Sequence, residues 1–482
     1  MKRKLYVFAA LTAVALVLSA CGVRYYKFPQ YTYAGRPIPP SKFAYRVLAS
    51  YTSTLSGGLQ ILDAQRDLRN NVFDANSSYT ISGYSGNSPS PILNFPEQVA
   101  GYAYAQGDGS LAAIDYGAEK TGGAAATLSA QSAVPDGIKV STDQTMVYSA
   151  QETAGQLQVV IRGATQASYA LNLPNVNRVF ANQGNTVVLA MQRNGNNIYR
   201  LVKLNSNQAV PPGAVDCQPY QLPVYCLVKV TGSFDRPVGA YFSNDGSQAY
   251  ILNCGPECGG TTAGVSFLSL SNLTIYNIPT VSPEPNYVSQ TVAVPGGVTA
   301  ALTDGSTLYL SGQQFLADGY WSGNLSTLNL STKTVTGKYS ISDGYHTKML
   351  FGDDNTLWIG SQRCANGERA HQADLGVTSQ AANYNCLTRF DRSASSVQIV
   401  PSVNRNANTT VKYPNQDYNL YYYGDLTGLC WVQSLHKMYT AYGGQIHAFN
   451  TTDGSEINNS QISIQGTVLD VAFMDALTNF DN

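Results

Sequence analysis

The chain has 482 residues, enough for a large core or several domains, yet only 12% are charged and the formal net charge is -1. That balance offers no basic face for nucleic acid, and it leaves solubility to Ser, Thr, Asn, Gln and Tyr. The 33 tyrosines and 43 glycines favour strands and tight turns over helices.

At the N-terminus, Lys2, Arg3 and Lys4 precede an apolar stretch from Leu5 to Leu18, and small residues end at Cys21. Charge, apolar core and small residues in that order predict a secretory leader over residues 1–20, too short to span a membrane comfortably. A short membrane anchor with an incidental cysteine is the competing reading. Residues 22–42 read as an extended tether, aromatic at Tyr25, Tyr26 and Phe28 and then Gly35-Arg36-Pro37-Ile38-Pro39-Pro40. About 20 stretched residues reach up to roughly 65 Å. Packing of these aromatics onto the main body would hold that body close to a membrane instead.

From residue 43 onward two half-patterns alternate. One is a turn followed by an aromatic or β-branched strand, as in Ser243-Asn244-Asp245-Gly246-Ser247-Gln248-Ala249-Tyr250 and Thr303-Asp304-Gly305-Ser306-Thr307-Leu308-Tyr309. It recurs at Ser141 to Tyr148, Asn182 to Val188 and Asp353 to Trp358. Asp-Gly and Asn-Gly type pairs accept the positive φ of a tight hairpin. The other half is an alternating strand ending at Asp or Asn, as in Leu59 to Asp63, Leu111 to Asp115, Leu387 to Asp391 and Ile446 to Asn450. Paired, the halves make eight units of roughly 50 residues, the signature of propeller blades. The expectation is therefore an all-β chain with a single β-propeller over residues 43–482. Eight blades are favoured; seven is the alternative, because the second unit is weak. The first unit starts at its second strand. Its missing inner strand is expected from Val468-Leu469-Asp470-Val471-Ala472-Phe473, closing the ring by pairing the chain ends. Two packed β-sandwiches compete with this reading but explain the repeated turns less well.

Seven cysteines follow Cys21. The simplest pairs are Cys217 with Cys226, Cys254 with Cys258, and Cys364 with Cys386. Cys430 is left in the apolar run Leu429-Cys430-Trp431-Val432 as a buried, inert thiol. No second ligand pair accompanies Cys254 and Cys258, and His346, His371, His436 and His447 are scattered, so no metal and no cofactor is expected.

In a propeller blade the Asp-Gly turn joins the first strand to the second on one face. Second-to-third connections and blade-to-blade connections lie on the other. The long insertions expected on that second face are Asn205 to Asp235, Cys254 to Ala263, Gln313 to Asn324, Arg363 to Asn385 and Pro401 to Asp425. They carry Tyr220, Tyr225, Phe315, Tyr320, Trp321, Arg363, Arg369, His371, Tyr384, Tyr421, Tyr422 and Tyr423. Tyr, Trp and Arg dominate binding hot spots, so these twelve are the candidate binding face. The alternative is that they only pack the loops onto the disc. Catalytic patterns are lacking: there is no Gly-x-Ser-x-Gly elbow, zincin helix or phosphate loop. Nor do acidic and basic groups visibly converge on a central channel.

Two resemblances refine the reading. Leu18-Ser19-Ala20-Cys21 resembles the bacterial lipoprotein lipobox, which implies removal of residues 1–20 and lipid attachment at Cys21. Gly22 stands where inner-membrane retention in enteric bacteria uses Asp, which implies the outer membrane. The turn-plus-strand repeat resembles the YVTN/WD40-like propeller repeat, whose blades read like Ser-Pro-Asp-Gly, Tyr-Val and Val-Ile-Asp. It does so over most of residues 43–475, although the proline is absent from every copy. Together they imply a lipid-anchored, extracytoplasmic binding or scaffold protein of the cell envelope, with a protein or glycan partner. A lactonase-type hydrolase or another propeller enzyme is the alternative.

Overall fold

Turn chemistry sets the strand boundaries. Asp245 accepts hydrogen bonds from the Ser243 and Ser247 hydroxyls and from the Ser247 N–H, while Gly246 takes a φ of 69°. That conformation suits glycine, which has no Cβ to clash. Asp304 likewise accepts the Ser306 and Thr307 N–H groups next to Gly305. Asp391 at the end of a third strand accepts the Ser393 and Ala394 N–H groups, so such residues cap the next turn.

The computed structural model describes residues 36–54, 56–67, 79–134, 136–163, 166–205, 208–219, 223–317, 321–353, 355–364, 385–401, 423–457, 464 and 466–479. Cys21 and the expected leader lie outside them. Blade one holds β1 (Arg46–Thr52) and β2 (Gly57–Asp63). Blade two holds β3 (Pro89–Phe95), β4 (Ala100–Ala105), β5 (Ser110–Asp115) and β6 (Lys120–Ala126). Blade three holds β7 (Ile138–Val140), β8 (Met146–Gln151), β9 (Gln156–Ile161) and β10 (Ala167–Asn172). Blade four holds β11 (Val176–Ala181), β12 (Val188–Gln192), β13 (Ile198–Leu204), β14 (Ala214–Gln218) and β15 (Val224–Val230). Blade five holds β16 (Pro237–Phe242), β17 (Gln248–Asn253), β18 (Gly264–Ser269) and β19 (Val288–Ala293). Blade six holds β20 (Gly297–Thr303), β21 (Thr307–Phe315), β22 (Trp321–Asn329) and β23 (Thr334–Ile341). Blade seven holds β24 (Tyr345–Phe351), β25 (Thr356–Gln362), β26 (Leu387–Asp391) and β27 (Ser396–Val400). Blade eight holds β28 (Leu426–Val432), β29 (Lys437–Tyr442) and β30 (Gln445–Asn450), and β31 (Thr467–Phe473) follows.

β31 returns to pair with β1, so blade one reads β31-β1-β2 from the inside outward. The eight-bladed arrangement and the closure by the two chain ends are as expected. Every junction between neighbouring blades holds its own apolar cluster. At the junction of blades seven and eight, Trp358 is fully buried with Met438, Tyr442 and Phe449. An aromatic that size contributes about 4–6 kcal/mol by buried area.

A buried polar clip reinforces the closure. Arg46 on β1 is 1% exposed. Its Nη2 donates to Asp475 just beyond β31 (2.7 Å), and its Nη1 donates to Glu119 in blade two (3.0 Å) and to the Tyr116 carbonyl (2.5 Å). Glu119 also accepts the N–H and hydroxyl of Ser41. Residues around Ser41, at the end of the expected tether, are thereby packed on blade two.

Two expected loops differ. The stretch Asn205 to Asp235 is largely β14 and β15, with β15 inserted between β13 and β14, so Cys217–Cys226 staples two outer strands. Gln313 to Asn324 is mostly strand: β21 and β22 run on to a final pair of Phe315 with Trp321. One long insertion lies on the opposite, turn face, between β18 and β19. There buried Glu284 receives the guanidinium of fully buried Arg200 (2.6 Å).

Seven of the eight inner strands share one irregularity, β7 being the exception. β3, β11, β16, β20, β24, β28 and β31 each carry a register shift near the second or third residue. Such bulges re-aim the side chains that follow. Arg178, Lys348, Gly428 and Asp470 stand directly after the shift on their strands. Among the described residues no helix is long and apolar enough to cross a membrane.

Candidate binding face and central channel

The loop face is built around the β21–β22 hairpin. Its long register carries Phe315 and Trp321 to the tip, where their ring centroids lie 4.9 Å apart and Phe315 stays 54% exposed. Blade five braces this tip. The Phe315 N–H donates to Glu257 Oε2 (3.1 Å), and Glu257 sits in the 3-10 turn Gly255–Cys258. Burial pushes the Glu257 carboxyl above its usual range, against the opposing effect of the Phe315 N–H. The turn is held by the Cys254–Cys258 disulfide, and Gly255 is required there, because a Cβ would lie 2.2 Å from the Ala263 nitrogen. The Asp235 carboxylate accepts the Thr261 and Thr262 N–H groups (2.7 and 2.6 Å). Burial works against that carboxyl, but these bonds outweigh it and hold its pKa low.

Blades seven and eight contribute braced loop ends. Cys364 and Cys386 are bonded, and the fully buried Asn385 donates to the Pro401 carbonyl (2.7 Å) and accepts the Tyr423 N–H (3.2 Å). Asp425 accepts the Arg363 N–H (2.7 Å), and Arg363 itself is exposed at a φ of 54°. Cys364, Cys386 and Asp425 are close enough to suggest a metal site. The two sulfurs are bonded to each other and offer no thiolate ligand.

Of the twelve face candidates, Phe315, Trp321 and Arg363 lie on this face, and Tyr423 lies half-buried just beneath it. Tyr220, Tyr320, Arg369, His371, Tyr384, Tyr421 and Tyr422 lie outside the described residues. Tyr225 is placed differently: it is 1% exposed, packs against Tyr169, and burial pushes its hydroxyl up to about 12. It belongs to the core between blades three and four, because the five-stranded sheet turns it inward. All six disulfide candidates are paired as expected, and Cys430 is buried.

Two constellations were not read from sequence. His447 Nδ1 donates to Glu456 Oε1 (2.6 Å), Tyr423 O–H donates to Glu456 Oε2, and the Tyr423 ring stacks on the imidazole at 4.2 Å. A histidine–carboxylate arrangement therefore exists, contrary to the expectation of scattered histidines. His447 and Glu456 are both nearly fully buried, so the trio anchors Tyr423 beneath the face.

The second constellation is the central channel, where acidic and basic groups do converge. At its loop-face mouth Arg178 of blade four donates to the Tyr345 hydroxyl of blade seven (2.7 Å), reaching across the channel. Burial pushes that hydroxyl up, opposed by Arg178. Asp136 lies 3.8 Å from Arg178, and Arg193 pairs with Glu152 nearby (Nη2 to Oε2, 2.8 Å). Deeper in, Lys348 lies 3.5 Å from Asp470. The one signal that marks these positions is the bulge, which needs the strand pairing to be seen.

No family model and no curated protein matches the chain. Among solved structures, dihydro-heme d1 dehydrogenase NirN is similar over 93% of this chain and 82% of that chain, at 12% identity and a TM-score of 0.51. Hydrazine synthase of Kuenenia stuttgartiensis is similar over 79% of this chain and 80% of that chain, at 12% identity and a TM-score of 0.40. Sqt1 of Saccharomyces cerevisiae is similar over 78% of this chain and 85% of that chain, at 9% identity and a TM-score of 0.46. At such identities the likeness is one of fold. Fold and site define an eight-bladed β-propeller with a disulfide-braced loop face.

Proposed function

We propose that this propeller is a binding or scaffold protein of the bacterial cell envelope, anchored by lipid at Cys21, that holds a protein partner through its loop face. The observation that carries the reading is the Phe315–Trp321 pair at the tip of the β21–β22 hairpin. It is an aromatic pair, exposed at Phe315 and half-buried at Trp321, held in place by Glu257 and a stapled turn, so little conformational entropy is lost on binding. The leader pattern and three disulfides support an oxidising compartment.

A second reading, a hydrolase of the lactonase type, rests on the convergence of Lys348 and Asp470 in the channel. Complementation of a deletion strain separates the two. Under the binding reading, the Phe315→Ala, Trp321→Ala double variant is folded and lipidated but fails to restore the envelope phenotype, while Asp470→Asn restores it. The opposite pattern supports the enzyme.

A further inference from the structure

Four inner strands, β3, β24, β28 and β31, combine in the channel to build a small polar cavity. Asp470 on β31 and Lys348 on β24 meet although blade eight stands between their blades. Gly428 on β28 makes the meeting possible: a Cβ there would lie 2.7 Å from Asp470 Oδ1 and 2.6 Å from the Val471 nitrogen. The Asp470 carboxylate is 2% exposed and is oriented by two backbone donors, Val471 N–H on Oδ1 (3.0 Å) and Ile92 N–H on Oδ2 (2.9 Å). Each of its oxygens can accept a further hydrogen bond, and the Lys348 ammonium carries three donors. Thr347, the bulged residue of β24, buries its hydroxyl with no hydrogen-bond partner. These groups border a cavity of about 190 Å³ whose apolar walls include Met349, Leu350 and Leu429.

We propose that this channel cavity binds one neutral polyhydroxylated molecule about the size of a single sugar ring. The lysine and the aspartate leave the site with no net charge, so neither an anion nor a cation is preferred. A hydroxyl is the group that donates to Asp470 while also accepting from Lys348. The apolar walls suit the C–H face of a ring. The volume holds roughly six waters and falls below the range of about 300–1,000 Å³ typical of sites for drug-sized ligands. The inference does not depend on the loop-face reading.

The test is isothermal titration of the full-length protein in a detergent without a sugar head group. The probes are D-glucose, D-galactose, D-mannose and myo-inositol, with D-gluconate and D-glucosamine as charged comparators. At least one neutral probe is expected to bind one to one, with the charged comparators about tenfold weaker. Lys348→Met is expected to weaken it about tenfold. Lys348→Gln, which keeps a hydrogen-bond donor at that position, is the safeguard against a folding artefact and is expected to bind more tightly than Lys348→Met at an equal unfolding midpoint. Absence of binding by all four neutral probes at millimolar concentration overturns the proposal. So does a charged comparator that binds as tightly, or binding that Lys348→Met leaves unchanged.

Discussion

Replacing Arg46 by alanine tests whether the ring is locked where its ends meet. The guanidinium reaches three parts of the chain at once: Asp475 after β31, Glu119 in blade two and the Tyr116 carbonyl. Asp475 and Glu119 are 8% and 4% exposed at the side chain. Removing the cation strands two buried carboxylates. Breaking a buried pair by removing one partner costs about 3–5 kcal/mol, much of it the penalty of the charge left behind. The expected loss is about 4 kcal/mol, read as a fall in the urea midpoint at unchanged slope, followed by tryptophan fluorescence. If stranded charge is the cause, adding Glu119→Gln and Asp475→Asn to Arg46→Met recovers most of that loss. A loss below about 1 kcal/mol for Arg46→Ala, the range of a surface pair, would refute the reasoning.

Three other outcomes follow from buried groups. Cys364→Ser with Cys386→Ser opens a loop with a sequence separation of 22. It is expected to lower stability by about 3 kcal/mol in equilibrium unfolding under non-reducing conditions. Burial lowers the His346 pKa to about 4, so the folded state stays neutral where the unfolded chain, near 6.5, takes up a proton. Its contribution is complete above pH 6.5 and is lost as pH falls toward 4, by on the order of 3 kcal/mol; in His346→Phe, urea midpoints across that window should show a correspondingly smaller decline. Burial pushes the Cys430 thiol well above its ordinary value, so a thiol reagent at neutral pH should label it only after denaturation.

Much of the fold was legible because its signals are local. Asp245-Gly246 and Asp304-Gly305 mark hairpins through bonds that span only a few residues, and the disulfide partners lie within 22 positions of each other. The closing strand was legible because 468–473 is a short, mostly apolar run of strand length and blade one lacked an inner strand. The sites were harder to read because they arise between blades. Lys348 and Asp470 are 122 positions apart, and it is a register shift and a missing side chain at Gly428 that bring them together. The β14–β15 hairpin looked like a loop because β15 enters the sheet out of sequence order. Phe315 and Trp321 look like loop aromatics in the sequence for a related reason: Gly312 and Gly323 hide the strand pattern, yet both sit in paired strand.

The most direct test of loop-face binding is site-specific photocrosslinking in intact cells from Ala317, exposed at the hairpin tip, with Ser247 on the turn face as the control position. A discrete protein adduct is expected from position 317, disappearing in the Phe315→Ala background, and none from position 247. Adducts from 247 alone, or an adduct from 317 that Phe315→Ala leaves at full yield, would contradict it.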